Sequence, residues 1–399
     1  MYVFLSLLIA SFYVVPLFAE YGYICVPVAD LITQPFELKK KPIADLYKTI
    51  SLSPERHKNS CLRAHQAIFN EKVEILDYKN EQIYIALTNC YAVNMPRQMP
   101  TVAKFWTRAN WVVTEQTLEQ AGIDLSIFPE PFSHHTLIIN TEVITLIVPW
   151  YDAVTNKIYS AGTRFVTIPA RSSDDYYMVV LYDCEYKKNV YSMVDKSRAF
   201  PSFYKSRSEQ KRLFVALLRQ WCSLDQSIPY VWGGTSFTYT TDSNSVILEE
   251  QLNNNKIAYW NDPSISIRPY AGFDCSGLLL RAAQIVGIPY FCLNSTSALY
   301  SLKPLSSADI LEEGDIIWAP GYLAVVSSIT NNQLIEAQGY GRGYGSVHEI
   351  SLEKRFKDIS TWDDFLYFHA HHLPLQSYNS TGQIVGYIPT YFILRFLNL

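Results

Sequence analysis

The stretch Gly272-Phe273-Asp274-Cys275-Ser276-Gly277 decides how this chain is read. Asp and Ser cap helix starts, because a short side-chain oxygen accepts a bond from an amide N–H that the first turn leaves free. Behind them Leu278, Leu279, Ala282, Ala283 and Val286 recur at three- and four-residue steps and stop at Gly287, just before Pro289. That is the pattern of an amphipathic helix closed by glycine. Cys275 is therefore expected in or beside a helical first turn, where free amides and the positive end of the dipole favour a thiolate. Plain burial as a small apolar packing residue is the alternative for such a cysteine.

Downstream, residues 316–318, 323–329 and 333–337 read as strands, the last two separated by a Thr-Asn-Asn turn at 330–332. Upstream, residues 206–222 form a helical window with Leu213, Val215, Leu217 and Leu218 on its apolar face. A helix preceding antiparallel strands predicts an α+β C-terminal unit. Between Gly234 and Phe273 runs a long segment, polar and Asn-rich near 252–255 and aromatic at Tyr259 and Trp260. It is either a lid or substrate-selecting loop, or a surface excursion. The tail 376–399 is apolar near its end and either adds a strand or meets a partner.

The N-terminal half is written in period two. Residues 71–87 give a strand, a polar break at Lys79 and Asn80, and a second strand carrying Ile83, Ile85 and Leu87. Residues 164–181 repeat the plan, with Phe165, Val166 and Ile168 before a polar turn at 171–175. Two small β-barrels follow from this, joined by the Pro-bearing connection 128–132; one continuous β-sandwich is the alternative.

Length and composition bound the function. A chain of 399 residues is long enough for two to three domains, and 49% hydrophobic against 18% charged residues excludes disorder. The net charge is −4 and the basic run at 39–41 is short, so nucleic acid is not an expected partner. Residues 1–19 carry no charge and are almost wholly apolar. Pro16 and the marginal length favour a signal peptide over a permanent anchor, although Leu17 fits a cut after Ala19 poorly. Membrane contact is expected only through that segment if it stays uncleaved. Seven cysteines, at 25, 61, 90, 184, 222, 275 and 292, leave at least one thiol unpaired if export permits disulfides. None has C-x-x-C spacing and the histidines form no zinc-finger pattern, so neither a metal nor another cofactor is expected.

Asp274-Cys275-Ser276-Gly277, preceded by Tyr230-Val231-Trp232-Gly233-Gly234 and followed by Glu313-Gly314-Asp315 leading into a strand, resembles the NlpC family of bacterial cell-wall cysteine peptidases. The resemblance covers residues 206–373, and the paired β-units upstream look like the bacterial SH3-type domains found in many members. It implies residues 20–127 and 133–200 as two SH3-like barrels and 201–375 as a papain-like peptidase domain, with a tail beyond. It also implies an exported protein of the periplasm or cell envelope that hydrolyses the γ-D-glutamyl to meso-diaminopimelate amide of peptidoglycan stem peptides. An inactive relative that only binds such peptides is the rival reading.

The family places its Cys on the helix, an imidazole at the start of the strand after a glycine, and a third polar residue near the end of the following strand. These roles carry over onto Cys275, Tyr322 and Glu336. Here the chain departs from the family, since Gly321-Tyr322-Leu323-Ala324 puts a phenol where the imidazole belongs. By the same resemblance Tyr230 supports the oxyanion, Asp274 and Ser276 bind the free α-amino group of an L-alanine, and Trp232 walls the pocket. Aromatic packing for Tyr230 and Trp232, and helix capping for Asp274 and Ser276, are the plain alternatives. Another histidine could swing in for the missing imidazole: His348 falls on the next expected strand and His369, His371 and His372 on the last, although each reads first as structural.

Overall fold

Antiparallel strands, several of them buried along most of their length, build the first half of the molecule. The computed structural model of the protein describes residues 19–35, 63–93, 95, 98–132, 142–201, 206–225, 227–238, 271–306 and 308–397. The N-terminal apolar segment through residue 18, the basic run at 39–41, Cys61, and Tyr259 and Trp260 with nearly all of the long segment around them lie outside the described residues.

The first sheet contains β1 (Glu20–Ile24), β2 (Val28–Ile32), β3 (Arg63–Ile68), β4 (Lys72–Lys79), β5 (Gln82–Ala92), β6 (Thr101–Arg108) and β7 (Val112–Thr114), in the order β3-β2-β6-β5-β4-β1-β7. β4 and β5 are the expected hairpin, turning at Asn80 with φ of 56°, a left-handed conformation that asparagine tolerates. A short helix α1 (Glu115–Gln120) follows, capped by the Thr114 hydroxyl.

The second sheet takes β8 (Val143–Leu146), β11 (Arg164–Thr167), β12 (Tyr176–Asp183), β13 (Lys188–Asp195) and β14 (Ala199–Pro201), with β9 (Trp150–Asp152) and β10 (Lys157–Tyr159) paired beside it. Its order is β13-β12-β11-β8-β14. Neither sheet closes into a barrel among the described residues, in contrast to the two SH3-like barrels expected. Polar pairing with the C-terminal unit takes up one edge instead: on β3, the Gln66 side chain and carbonyl accept bonds from Thr235 and Ser236 at 2.6–3.2 Å. The connection at 128–132 is packed as well, with Phe128 stacked on Tyr23 at 4.1 Å between ring centroids.

The C-terminal unit opens with α2 (Arg207–Cys222), capped by Ser206, and the short pair β15 (Thr235–Ser236) and β16 (Gly272–Phe273). Next come α3 (Cys275–Val286), closed by Gly287 at φ 83°, and α4 (Ser295–Ser301). An antiparallel sheet follows, made of β17 (Lys303–Pro304), β18 (Ile316–Ala319), β19 (Tyr322–Ser328), β20 (Gln333–Gln338) and β21 (Ser346–Ser351). Then come α5 (Leu352–Arg355), α6 (Trp362–Ala370), the hairpin β22 (Leu375–Tyr378) and β23 (Ile384–Ile388), and β24 (Phe392–Arg395). β24 inserts between β17 and β18, so the tail adds a strand. The helix-then-antiparallel-sheet expectation holds in this unit: the apolar face of α3 joins α2 and the inner sides of β18, β19 and β20 in one core.

One expected element is corrected. His369 lies in a helix, and His371 and His372 just past its end, rather than in a strand. Thr361 and Asp364 form a reciprocal capping box, and Trp362 and Phe365 bury the same side of the turn they start. Among the described residues no helix is long and apolar enough to cross a membrane.

Candidate active site

Cys275 occupies the first position of α3, and backbone interlocking fixes it there. Asp274 Oδ1 accepts from the Gly277 amide at 2.7 Å and from the Ser276 hydroxyl at 2.8 Å, while Oδ2 accepts from the Gly233 amide at 3.0 Å. One carboxylate thus caps the helix and ties it to the Tyr230–Gly234 run. The glycines make this approach possible, since a Cβ on Gly277 would stand 2.0 Å from the Gly234 carbonyl oxygen. Parallel pairing of Tyr230 with Phe273 completes the junction, with the Val231 amide 3.1 Å from the Phe273 carbonyl.

The second half of the site comes from the sheet. Side chains two apart on a strand share a face, so Tyr322 shares the face of Ala324, which pairs with Glu336, which in turn pairs with His348. The Tyr322 hydroxyl donates to the Glu336 carboxylate. Arg355 Nε, brought in by α5, stands 2.9 and 3.0 Å from its two oxygens, and His348 Nε2 lies 3.1 Å from Oε1. The Arg355 guanidinium also lies over the Tyr322 ring, 5.4 Å from its centroid. Glu336 is fully buried and Arg355 nearly so. Burial alone would raise the Glu336 carboxyl, but the Arg355 charge and the bonds from His348 and Tyr322 outweigh it and hold the group at about 2. Burial and the neighbouring Glu336 charge push the Tyr322 phenol well above its ordinary value.

The helix that starts at Cys275 packs against β19. Cys275 is half-buried, and the Leu323 amide, next along β19 from Tyr322, acts to lower its thiol pKa. The resting thiolate expected from the helix end is not what the structure supports. Burial, reinforced by the adjacent Asp274 charge, raises the thiol to about 12, and the bonds from the Leu323, Ser276 and Cys275 amides only partly offset this. The dipole argument fails because burial of the thiol outweighs it, and the capping Asp274, an anion one position from the sulfur, adds to the penalty.

The remaining expected residues fall as follows. Tyr230 packs partly buried, its ring 3.4 Å from where a Cβ on Gly339 would lie, and its amide donates to the Gly345 carbonyl at 2.8 Å. Trp232 is 36% exposed and its carbonyl accepts from Arg63 Nη1 at 3.3 Å. Asp274 and Ser276 are engaged in capping, with burial raising the Asp274 carboxyl. Sequence reading missed Arg355, and it weighed His348 as a substitute imidazole but favoured a structural place for it, whereas that ring reaches Glu336. It also missed the buried Arg63–Asp30 pair at 2.8 Å, which supports the Trp232 turn from the first sheet. Among the described residues no group of His, Cys, Asp and Glu could hold a metal ion.

No family model matches the chain, and no curated protein matches it. Among solved structures, the chain is similar to an NlpC/P60 family protein from Bacillus cereus, with a TM-score of 0.52 and 17% identity over 83% of this chain and 94% of that one. It also aligns with NlpC2 from Trichomonas vaginalis, with a TM-score of 0.30 and 12% identity over 84% of this chain and 94% of that one. The first likeness is one of fold, and its coverage extends over the N-terminal sheets as well as the unit that carries Cys275.

Proposed function

We propose that the protein is an NlpC-type cysteine hydrolase of the cell envelope that cleaves the γ-D-glutamyl to meso-diaminopimelate amide of peptidoglycan stem peptides. The observation that carries this reading is a half-buried thiol at the start of a helix that packs against β19, the strand whose first residue, Tyr322, bonds to Glu336. A packing cysteine has no use for such surroundings. Cys275 acts as nucleophile, and its own amide with Tyr230 stabilises the oxyanion. Asp274 and Ser276 receive the α-amino group of the leading L-alanine, and Trp232 walls the pocket. The N-terminal sheets, in the place of the family's SH3-like domains, narrow the cleft toward free stem peptides.

The chemistry is limited by the first proton transfer. Tyr322 donates its hydroxyl hydrogen bond to Glu336, so toward the substrate its oxygen can only accept. The thiol proton is lost to water, the thiolate attacks the carbonyl carbon, and the amide nitrogen takes a proton from water whose position the Tyr322 oxygen fixes by accepting a hydrogen bond. The C–N bond then breaks, leaving a thioester for water to hydrolyse. Glu336 remains an anion throughout and orients the phenol. With the thiol at about 12, forming the thiolate at pH 7 costs about 7 kcal/mol.

A second reading is favoured by the same cluster. A phenol locked between a buried carboxylate and a guanidinium is a rigid recognition element and a weak base, as suits an inactive relative that holds wall peptides without cutting them. Incubation with L-Ala-γ-D-Glu-meso-diaminopimelate, with products weighed by mass spectrometry, separates the two. The hydrolase reading expects slow cleavage that Cys275→Ala abolishes and that Tyr322→His accelerates at neutral pH by about a hundredfold or more. Saturable binding of the peptide with no product from the parent at any pH would establish the binding module.

A further inference from the structure

The loop between β20 and β21, Gly339-Tyr340-Gly341-Arg342-Gly343-Tyr344-Gly345, touches the candidate site at both ends. Gly339 faces the Tyr230 ring, and the Gly345 carbonyl accepts the Tyr230 amide at 2.8 Å. Gly343 and Gly345 take left-handed φ of 81° and 69°, which lets the chain turn back tightly. Arg342 stands between the two ends and is half-buried. Its amide donates to the Gly339 carbonyl at 3.2 Å, and its own carbonyl accepts from the Ser380 amide at 3.0 Å. Its Nη1 donates to the fully buried Ser377 hydroxyl of β22 at 2.7 Å. The guanidinium lies against Gly386 of β23, where a Cβ would come within 2.8 Å of Nη1.

Charge around this side chain is unbalanced. Arg355 Nη1 donates to the carbonyl of Tyr378, the residue after Ser377 on β22, at 3.0 Å, so two guanidiniums reach neighbouring positions of one strand. Glu336 is paired with Arg355. Among the described residues no carboxylate pairs with Arg342, and the bond to Ser377 is the one hydrogen bond its side chain makes. Burial and the Arg355 charge both disfavour its cationic form, which is the strain a counter-ion relieves.

We propose that Arg342 is a specificity-determining residue that receives a carboxylate of the peptide substrate. The proposal rests on the stem-peptide reading above. L-Ala-γ-D-Glu-meso-diaminopimelate presents the α-carboxylate of its glutamate and the carboxylates of its diamino acid, and either source has the required chemistry. A guanidinium takes a carboxylate through two parallel N–H···O bonds, and an amide in its place forfeits the charge and one acceptor. Ser377 and Gly386 fix the guanidinium beforehand, so binding orders little that is not already ordered.

The test treats the full-length protein with phenylglyoxal, which modifies accessible guanidiniums, and in parallel with iodoacetamide, and follows the Arg342 and Cys275 peptides by mass spectrometry. The acidic peptide should slow labelling at both residues, at Arg342 by about tenfold near saturation. One peptide amidated at the glutamate α-carboxylate and another amidated on the diamino acid identify the carboxylate, because only one of them should lose protection of Arg342. Protection of Cys275 without protection of Arg342 overturns the proposal, as does equal protection of Arg342 by the acid and both amides. Protection of neither residue by the acid sinks the stem-peptide reading instead. Sodium acetate against chloride at equal ionic strength then decides: slower labelling of Arg342 in acetate keeps the carboxylate site, and an unchanged rate overturns it. In calorimetry, Arg342→Met should weaken the acidic peptide by about tenfold or more and leave the unprotecting amide unaffected. An equal loss for both peptides would show that Arg342 merely ties the loop to the β22–β23 hairpin, which also overturns the proposal. Should that variant fail to fold, the labelling of the unaltered chain decides alone.

Discussion

An imidazole can take a proton from a thiol at neutral pH because it is largely unprotonated there, whereas a phenol still holds its own proton. At Tyr322 the obstacle grows, since burial and the Glu336 charge push its ionisation higher, and burial with Asp274 also raises the Cys275 thiol. Alkylation of Cys275 by iodoacetamide, followed on its own peptide by mass spectrometry, should therefore accelerate about tenfold per pH unit from neutral upward. A plateau at or below the free-thiol value of about 8.5 would show a preformed thiolate and defeat this account. Glu336 has the opposite sign. Its folded value of about 2 lies below the ordinary 4.5, so it contributes stability that is present above 4.5 and lost as pH falls toward 2, of order 3 kcal/mol. Urea unfolding across that range should lose this increment in the parent, and Glu336→Gln should flatten the dependence. The positions of Cys275, Tyr322 and Glu336 were legible because each belongs to a local motif. Arg355 was not, since nothing local signals that α5 returns it to a carboxylate 19 residues earlier.

Helix α3 was legible for the same reason: its cap, apolar steps and closing Gly287 all lie within one short run of sequence. The hairpin of β4 and β5 was equally so, marked by two apolar runs and the polar break at Lys79 and Asn80, although a bulge between Ile75 and Asp77 interrupts its register. What escaped was long-range pairing. Whether the first sheet closes depends on what covers the β3 edge, and the partners of Gln66 there are Thr235 and Ser236, far along the chain. Helix α6 was misread because a short run of aromatic and apolar residues satisfies either period, and the capping box that settles the matter was overlooked. The start of α3 offers a direct test of interlocking. Asp274→Ala removes the helix cap and the Gly233 tie together and should lower stability by about 1–3 kcal/mol in urea unfolding. Gly277→Ala, which forces a Cβ against the Gly234 carbonyl, should cost a similar 1–3 kcal/mol. A neutral effect of Gly277→Ala would mean that the two motifs are not in backbone contact.

The three sheets behave as one body because buried polar groups bridge them. The Trp221 indole N–H of α2 donates to the Ile147 carbonyl at 2.8 Å, and Asn70 Nδ2 donates to the Arg164 carbonyl at 3.0 Å across the first and second sheets. One apolar core runs from Val73, Ile83 and Ile85 through α2 and α3 to β18, β19 and β20. Arg281 of α3 is the strongest of these ties. Only 2% of its side chain is exposed; it pairs with Glu71 at 2.8 Å and donates to the Thr235 carbonyl at 3.0 Å and to Gln284 at 3.1 Å. Removing one partner of a buried pair leaves the other charge uncompensated, so Arg281→Ala should cost about 3–5 kcal/mol. Because Glu71 adjoins β4 and Arg281 lies on the helix that starts at Cys275, the loss should appear in both units at once. Urea unfolding followed by tryptophan fluorescence and by circular dichroism should stay coincident but move to lower denaturant. The Glu71→Gln, Arg281→Met double variant should recover part of the loss, since no charge is then stranded. Separation of the two probes in the parent, or an Arg281→Ala cost below about 1 kcal/mol, would mean that the N-terminal sheets and the C-terminal unit fold independently, and the geometry around Cys275 would then not depend on Arg281.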